Sequence, residues 1–202
     1  MAFPFVTFGQ RTNDILTLRV GIGSANIGFK EALEPSTNLF GREFNTGNTF
    51  IGDGPEFGIS KNISHKMFID VSFFRFSGRN TKLKVNNNEN YYTLKGYQLP
   101  VTINYLLRDN SKRLRFNLGG GFQYLKGHLQ QYETSINNNG QVTNQLNDIR
   151  ISEFQLVLRP GVQFRIISNL YASFIVRAGI STNGRYGDSP IFSLKYTFKT
   201  KK

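Results

Sequence analysis

Residues 114–124 read Leu114-Arg115-Phe116-Asn117-Leu118-Gly119-Gly120-Gly121-Phe122-Gln123-Tyr124. Leu114, Phe116, Leu118, Phe122 and Tyr124 alternate with Arg115, Asn117, Gly119, Gly121 and Gln123. A period of two belongs to a β-strand, whose successive side chains leave opposite faces of a sheet. One face of this strand is apolar; the other is polar or lacks side chains.

The same period recurs on both sides of it. Toward the N-terminus, Leu16, Leu18, Val20 and Ile22 alternate with Thr17, Arg19, Gly21 and Gly23, and further runs follow over residues 55–61, 66–76 and 97–105. Toward the C-terminus the runs cover 154–164, 170–180 and 192–198. Eight such segments predict an all-β fold. The third is the least regular, because Phe73-Phe74-Arg75-Phe76 breaks the alternation, which predicts a β-bulge.

Links after the second, fourth and sixth segments are short (62–65, 108–112 and 167–169). Those after the first, third, fifth and seventh are long and polar (30–53, 77–90, 130–148 and 182–189). An up-and-down outer-membrane barrel has this asymmetry, with short periplasmic turns and long outer loops; a sandwich does not sort its loops by end. Lipid offers the backbone no hydrogen-bond partner, so a membrane-spanning sheet must close. Eight strands leave an interior wide enough only for side chains. The expected fold is therefore an eight-stranded antiparallel up-and-down transmembrane β-barrel with a filled interior, not an open porin, forming a single domain over residues 10–202.

Composition narrows the alternatives. The 202 residues contain no run of 18 apolar residues, which excludes a membrane-spanning helix. Cysteine is absent, which excludes disulfides, thiolate metal sites and a cysteine nucleophile. The net charge of +12 would suit nucleic acid or anionic lipid, so its placement decides. Much of it collects at the short-link rim: Lys61, Lys66, Arg108, Lys112, Arg113, Arg165, Lys199, Lys201 and Lys202 against Asp109. No basic and aromatic cluster forms a groove for bases, so nucleic acid is not an expected partner.

Phase assigns Arg19, Arg115, Arg159, Arg177 and Lys195 to the interior together with Glu56, Asp70 and Glu153. Unpaired buried charge costs several kcal/mol, so these eight are expected to form an internal ionic network with water. Gly21, Gly23, Gly119, Gly121 and Gly179 share that phase and are expected to make room for the long arms. On the outward phase, Arg75, Lys95, Lys126 and Arg150 fall at the outer ends of four consecutive strands. A lipid-facing charge costs ~2–4 kcal/mol at the midplane but only ~0–1 near the interface. Four cations on one arc there are expected to bind the phosphates of lipopolysaccharide. Tyr105, Phe116, Phe164, Tyr196 and Phe198 near the periplasmic end, with Tyr97, Tyr124 and Phe192 near the outer end, predict two aromatic belts.

The eight stripes, the run Leu118-Gly119-Gly120-Gly121-Phe122, the start of strand four at Tyr97-Gln98-Leu99-Pro100-Val101 and the terminal Leu194-Lys195-Tyr196-Thr197-Phe198 resemble the Bacteroidota-type outer-membrane β-barrel domain family, a relative in shape of OmpA-like and PorT-like barrels. The likeness covers nearly all of residues 10–198. It implies the bacterial outer membrane and assembly by the barrel-insertion machinery, and it implies no activity. Both termini are expected in the periplasm. Phe198 is followed by Lys199-Thr200-Lys201-Lys202, so the terminal insertion signal is internal.

Catalytic chemistry is thin. Neither His65 nor His128 has a carboxylate or second histidine at ligand spacing, and neither a metal nor another cofactor is expected. His128-Leu129-Gln130 lacks the hydroxyl of the His-x-Ser arrangement of lipid A deacylases. Gly21-x-Gly23 misses the dinucleotide fingerprint because Asn26 stands at the third glycine. The first-loop acids Glu31, Glu34, Glu43 and Asp53 lack calcium-loop spacing. The expected role is non-enzymatic: a structural or partner-binding barrel of the envelope, engaging outer-membrane lipids and a protein at its outer loops or its basic periplasmic rim. The alternatives are a soluble lipocalin-like calyx carrying an apolar ligand and an outer-membrane lipid-modifying enzyme. Residues 1–9, MAFPFVTFG, read as the tail of a signal peptide cut before Gln10, against a frayed apolar N-terminus or first strand.

Overall fold

The computed structural model describes residues 15–28, 49–81, 89–107, 113–136, 141–182 and 185–199. They form β1 (Ile15–Gly28), β2 (Thr49–Asn62), β3 (Met67–Thr81), β4 (Glu89–Leu106), β5 (Leu114–Ile136), β6 (Val142–Ile167), β7 (Leu170–Ser181) and β8 (Tyr186–Lys199). Each strand pairs antiparallel with the next, and β8 returns to β1, closing the barrel in sequence order. The start of β1 and the end of β8 meet at the same end as the short turns, Ile15 opposite Lys199. The expected cleavage point before Gln10, the acids Glu31, Glu34 and Glu43, and the rim residues Arg108, Asp109, Lys112, Lys201 and Lys202 lie outside the described residues.

Near the short turns the outward face is apolar. Val20, Ile22, Val71, Phe73, Val101, Phe122, Leu156 and Phe192 are exposed, Ile22 to 70%. Behind them Arg19, Asp70, Asn104, Asn117, Arg159 and Arg177 are buried. Toward the long loops the alternation continues, but its polarity inverts. In β5 the outward Phe122 and Tyr124 give way to Lys126, His128 and Gln130, while the inward Asn117 and Gln123 give way to the buried Leu125 and Leu129. In β3 the outward sequence runs Val71, Phe73, Arg75, Ser77, and the inward one Asp70, Ser72, Phe74, Phe76. β1, β4 and β6 make the same change after Ile22, before Tyr97 and before Phe154. The barrel therefore holds two interiors: a polar one near the short turns, and an apolar one of Ala25, Ile27, Phe50, Phe74, Phe76, Tyr92, Leu94, Leu125, Leu129 and Ile151 near the long loops. The apolar one is what a barrel standing in water buries; the first arrangement suits lipid outside.

This inversion replaces the bulge expected in β3. Register runs unbroken from Phe74 opposite Gln98 to Ser77 opposite Lys95, so the irregular Phe73-Phe74-Arg75-Phe76 is one residue pair on each side of the changeover. The register shift recorded in β6 lies between Arg165 and Ile167. Strands also extend into stretches expected as loop, because the backbone ladder continues there. Gln130 pairs with Asp148 and Ile136 with Val142, and Thr81 with Tyr91. Tyr97 accordingly lies well inside β4 and not at its start.

The apolar stretches of β5 and β6, residues 114–124 and 154–164, have the ~9–11 residues that cross a hydrocarbon core. Phe73, Tyr97, Tyr124 and Phe154 form a continuous row around β3 to β6, with ring centroids 5.9, 6.1 and 5.3 Å apart. Near the short turns, Tyr196 and Phe198 stand edge to face at 4.8 Å.

Candidate functional site

Inside the polar half, Arg19 is the hub. Its Nη1 and Nη2 donate to the two oxygens of Asp70 at 2.7 and 2.9 Å, and its Nε and Nη2 donate to Glu56 at 3.1 and 3.2 Å. Both carboxylates serve a second arginine: Arg177 Nη1 lies 3.2 Å from Glu56, and Arg159 Nη2 lies 3.6 Å from Asp70. Ser72 donates to Glu56 at 2.8 Å, and Arg159 Nη1 donates to Asn104 at 2.5 Å. Such a cluster is held in place because breaking one buried partner leaves an uncompensated charge, at about 3–5 kcal/mol. Arg177 also stacks over Phe74 at 5.4 Å, joining the two interiors.

Of the residues assigned to this network by phase, Arg115 and Glu153 lie apart from it, and Lys195 stands at its edge, within electrostatic reach of Asp70 and Glu56 but not in contact with them. Arg115 sits at the short-turn end, where Nη2 donates to the Tyr171 hydroxyl at 3.0 Å. Lys195 is opposite Arg19 in the β1/β8 ladder, with its ammonium 5.9 Å from the Phe68 ring. Glu153 lies higher, accepting from Arg185 at 3.2 Å and from Gln155 at 2.9 Å. Arg185 is buried, in a stretch read from sequence as outer loop; its signal was the alternation of β8 running back to Tyr186. The glycines also act differently from expectation. A Cβ on Gly179 would meet Gln155 Oε1 at 2.5 Å, and one on Gly21 would meet the β8 backbone. The glycine that clears an arginine is Gly58, whose Cβ would lie 2.8 Å from Arg19 Nη2.

On the outside, Arg75, Lys95, Lys126 and Arg150 line one groove of about 740 Å³ across β3 to β6, together with Phe73, Tyr97, His128 and Ser152. The ladder explains the grouping. Arg75 is opposite Tyr97 and Tyr97 opposite Lys126, while Lys95 is opposite His128 and His128 opposite Arg150. Two cations flank a tyrosine in one row and two flank a histidine in the next. Asp148 moderates the charge: its carboxylate lies 2.5 Å from His128 Nε2 and 3.6 Å from Arg150 Nη2. His128 thus has the carboxylate partner that sequence spacing did not reveal, since it comes from the facing strand of the hairpin.

The groove suits anions. It presents fixed positive charge and aromatic edges on a surface at the apolar boundary, where charge-assisted hydrogen bonds to phosphate are strong. No family model and no curated protein sequence matches the chain. Its fold is that of several solved outer-membrane barrels. Ail of Yersinia pestis, crystallised with the heparin analogue sucrose octasulfate, superposes with a TM-score of 0.51 at 11% identity, over 93% of this chain and 100% of Ail. Neisserial surface protein A gives 0.52 at 11%, over 91% and 97%. OprG of Pseudomonas aeruginosa gives 0.51 at 10%, over 96% and 99%.

Proposed function

We propose that this chain is an integral outer-membrane β-barrel of the Bacteroidota type, inserted by the barrel-assembly machinery, with both termini in the periplasm and no catalytic chemistry. Its basic groove holds the phosphates of lipopolysaccharide, a binding role that fixes the barrel in the outer leaflet. The observation that carries this reading is the position of the cations against the polarity change. Phe73, Tyr97, Tyr124 and Phe154 are the last outward aromatics of the apolar belt, and Arg75, Lys95 and Lys126 are the next outward residues beyond it. Arg150 follows one outward position later. Aromatic side chains collect at the headgroup level, so the cations fall where lipid phosphates lie. The Yersinia pestis Ail structure, with its sulfated ligand, is a case of the same fold carrying a polyanion.

The test is charge reversal at two groove positions. In the K95E/K126E variant, lipopolysaccharide copurifying per barrel falls several-fold, while heat-modifiable migration in detergent is retained. Unchanged lipid content overturns the lipid site. A wild-type chain that refolds to a monomer in plain buffer overturns the membrane reading itself.

A further inference from the structure

The short-turn mouth of the barrel contains a recess that the lipid-binding reading does not use. It has a volume of about 260 Å³ and opens among Lys195, Arg115, Arg165, Thr17, Thr197 and Gln163. One water takes up about 30 Å³, so the recess holds a tetrahedral oxyanion with several waters. Among the described residues, no aspartate or glutamate lines it. Its polar lining consists of cations, hydroxyls and amides, a donor-rich set.

Lys195 is the anomaly. It is 3% exposed, and among the described residues its ammonium has no direct hydrogen-bond or ion-pair contact: it faces the Phe68 ring, and Asp70 and Glu56 act on it only from beyond contact distance. The layer above adds to the imbalance. Arg19, Arg159, Arg177 and Lys195 are all buried, against two buried carboxylates, Glu56 and Asp70. Arg159 and Arg177 retain Nε and Nη2 groups without hydrogen-bond acceptors. A buried charge is ordinarily paired, and among the described residues this layer has fewer anions than cations.

We propose that the recess is a binding site for a phosphate-sized oxyanion, with Lys195 at its inner end and Arg115 and the Thr17 and Thr197 hydroxyls on its walls. The anion supplies the missing counter-charge to the interior. The recess admits a free oxyanion and is too small for a folded partner, so free phosphate is the probe. This site lies at the opposite end of the barrel from the lipid groove and does not depend on it.

The experiment titrates inorganic phosphate into detergent-refolded protein at constant ionic strength, with chloride as the reference, and reads binding by calorimetry and thermal unfolding. Wild type is expected to bind phosphate saturably and to gain thermal stability over the chloride reference. K195M should lose at least ten-fold in phosphate affinity, and K195R should recover most of it. K95E/K126E, which changes only the outer groove, should bind phosphate at the recess as wild type does. In phosphate-free buffer K195M should be as stable as wild type or more so, because it removes a repelled cation; a purely structural role for Lys195 would make it less stable. Absence of saturable phosphate binding to wild type, or equal affinity in K195M, overturns the proposal. If K195M does not fold, the wild-type comparison of phosphate with chloride decides alone: no phosphate-specific stabilisation overturns it.

Discussion

Phe73 and Arg75 leave the same face of β3 two residues apart, the first in the apolar belt and the second in the basic groove directly above it. The boundary between the barrel's two environments therefore passes between them. The same step separates Tyr124 from Lys126 in β5. Because the backbone ladder is continuous across it, the step belongs to side-chain choice alone, and substitutions on either side have opposite consequences.

An arginine introduced at Leu118, in the middle of the apolar stretch of β5, should destabilise the barrel in lipid vesicles by ~2–4 kcal/mol. The same residue at Gln130, on the same face but beyond Lys126, should cost close to nothing. Urea unfolding in vesicles measures both, and equal costs would show that the belt does not face lipid.

Replacing Arg19 by methionine removes four hydrogen bonds to Glu56 and Asp70 and leaves each carboxylate with one arginine, Arg177 and Arg159 respectively. The expected loss is about 3–5 kcal/mol. Adding E56Q and D70N to R19M should deepen the loss, since Arg177 and Arg159 are then buried without the carboxylates they pair with. A triple variant as stable as R19M, or more so, would mean that hydrogen-bond geometry, and not charge balance, holds this layer together.

Gly58 and Gly120 provide a matched pair. A Cβ at Gly58 would press on the Arg19 guanidinium, whereas one at Gly120 meets only the Val157 carbonyl at 3.6 Å. Gly58→Ala should cost ~1–3 kcal/mol as overpacking, and Gly120→Ala should be neutral or slightly stabilising. Equilibrium unfolding of the two variants distinguishes them.

Asp148 competes with any phosphate for Arg150. Asp148→Asn should strengthen retention of lipopolysaccharide by about two- to five-fold, the equivalent of ~0.5–1 kcal/mol for an exposed pair, and the gain should shrink with added salt. Lipid retention that falls in this variant would assign Asp148 to holding the groove open.

The half of the barrel near the short turns was legible in the sequence because one rule governs it: Leu16, Leu18, Val20 and Ile22 all face out, and the residues between them face in. The closed eight-stranded topology followed from that rule and the lengths of the links. The half near the long loops was not legible. Leu125 and Leu129 keep the period of two, but Lys126 and His128 between them end the strand, and Gln130 beyond them reads as loop, when an outward apolar face is required. Arg185 was missed for the same reason. The pairing of His128 with Asp148 depends on the hairpin register, which positions Gln130 against Asp148, and no local spacing encodes it. The four groove cations could be placed on one face from sequence, but the carboxylate moderating them could not.

The two interiors bear on permeation. A hydrated ion entering from the short-turn mouth would meet arginines and carboxylates locked to one another by Arg19. Past them it would have to shed its water shell among Phe74, Phe76, Leu94, Leu125 and Leu129. Either layer alone impedes passage, and they fail under different conditions, since screening loosens the first and leaves the second intact. The described residues thus place two barriers in series, and single-channel recordings of the barrel should be electrically silent even at ionic strengths that weaken its salt bridges.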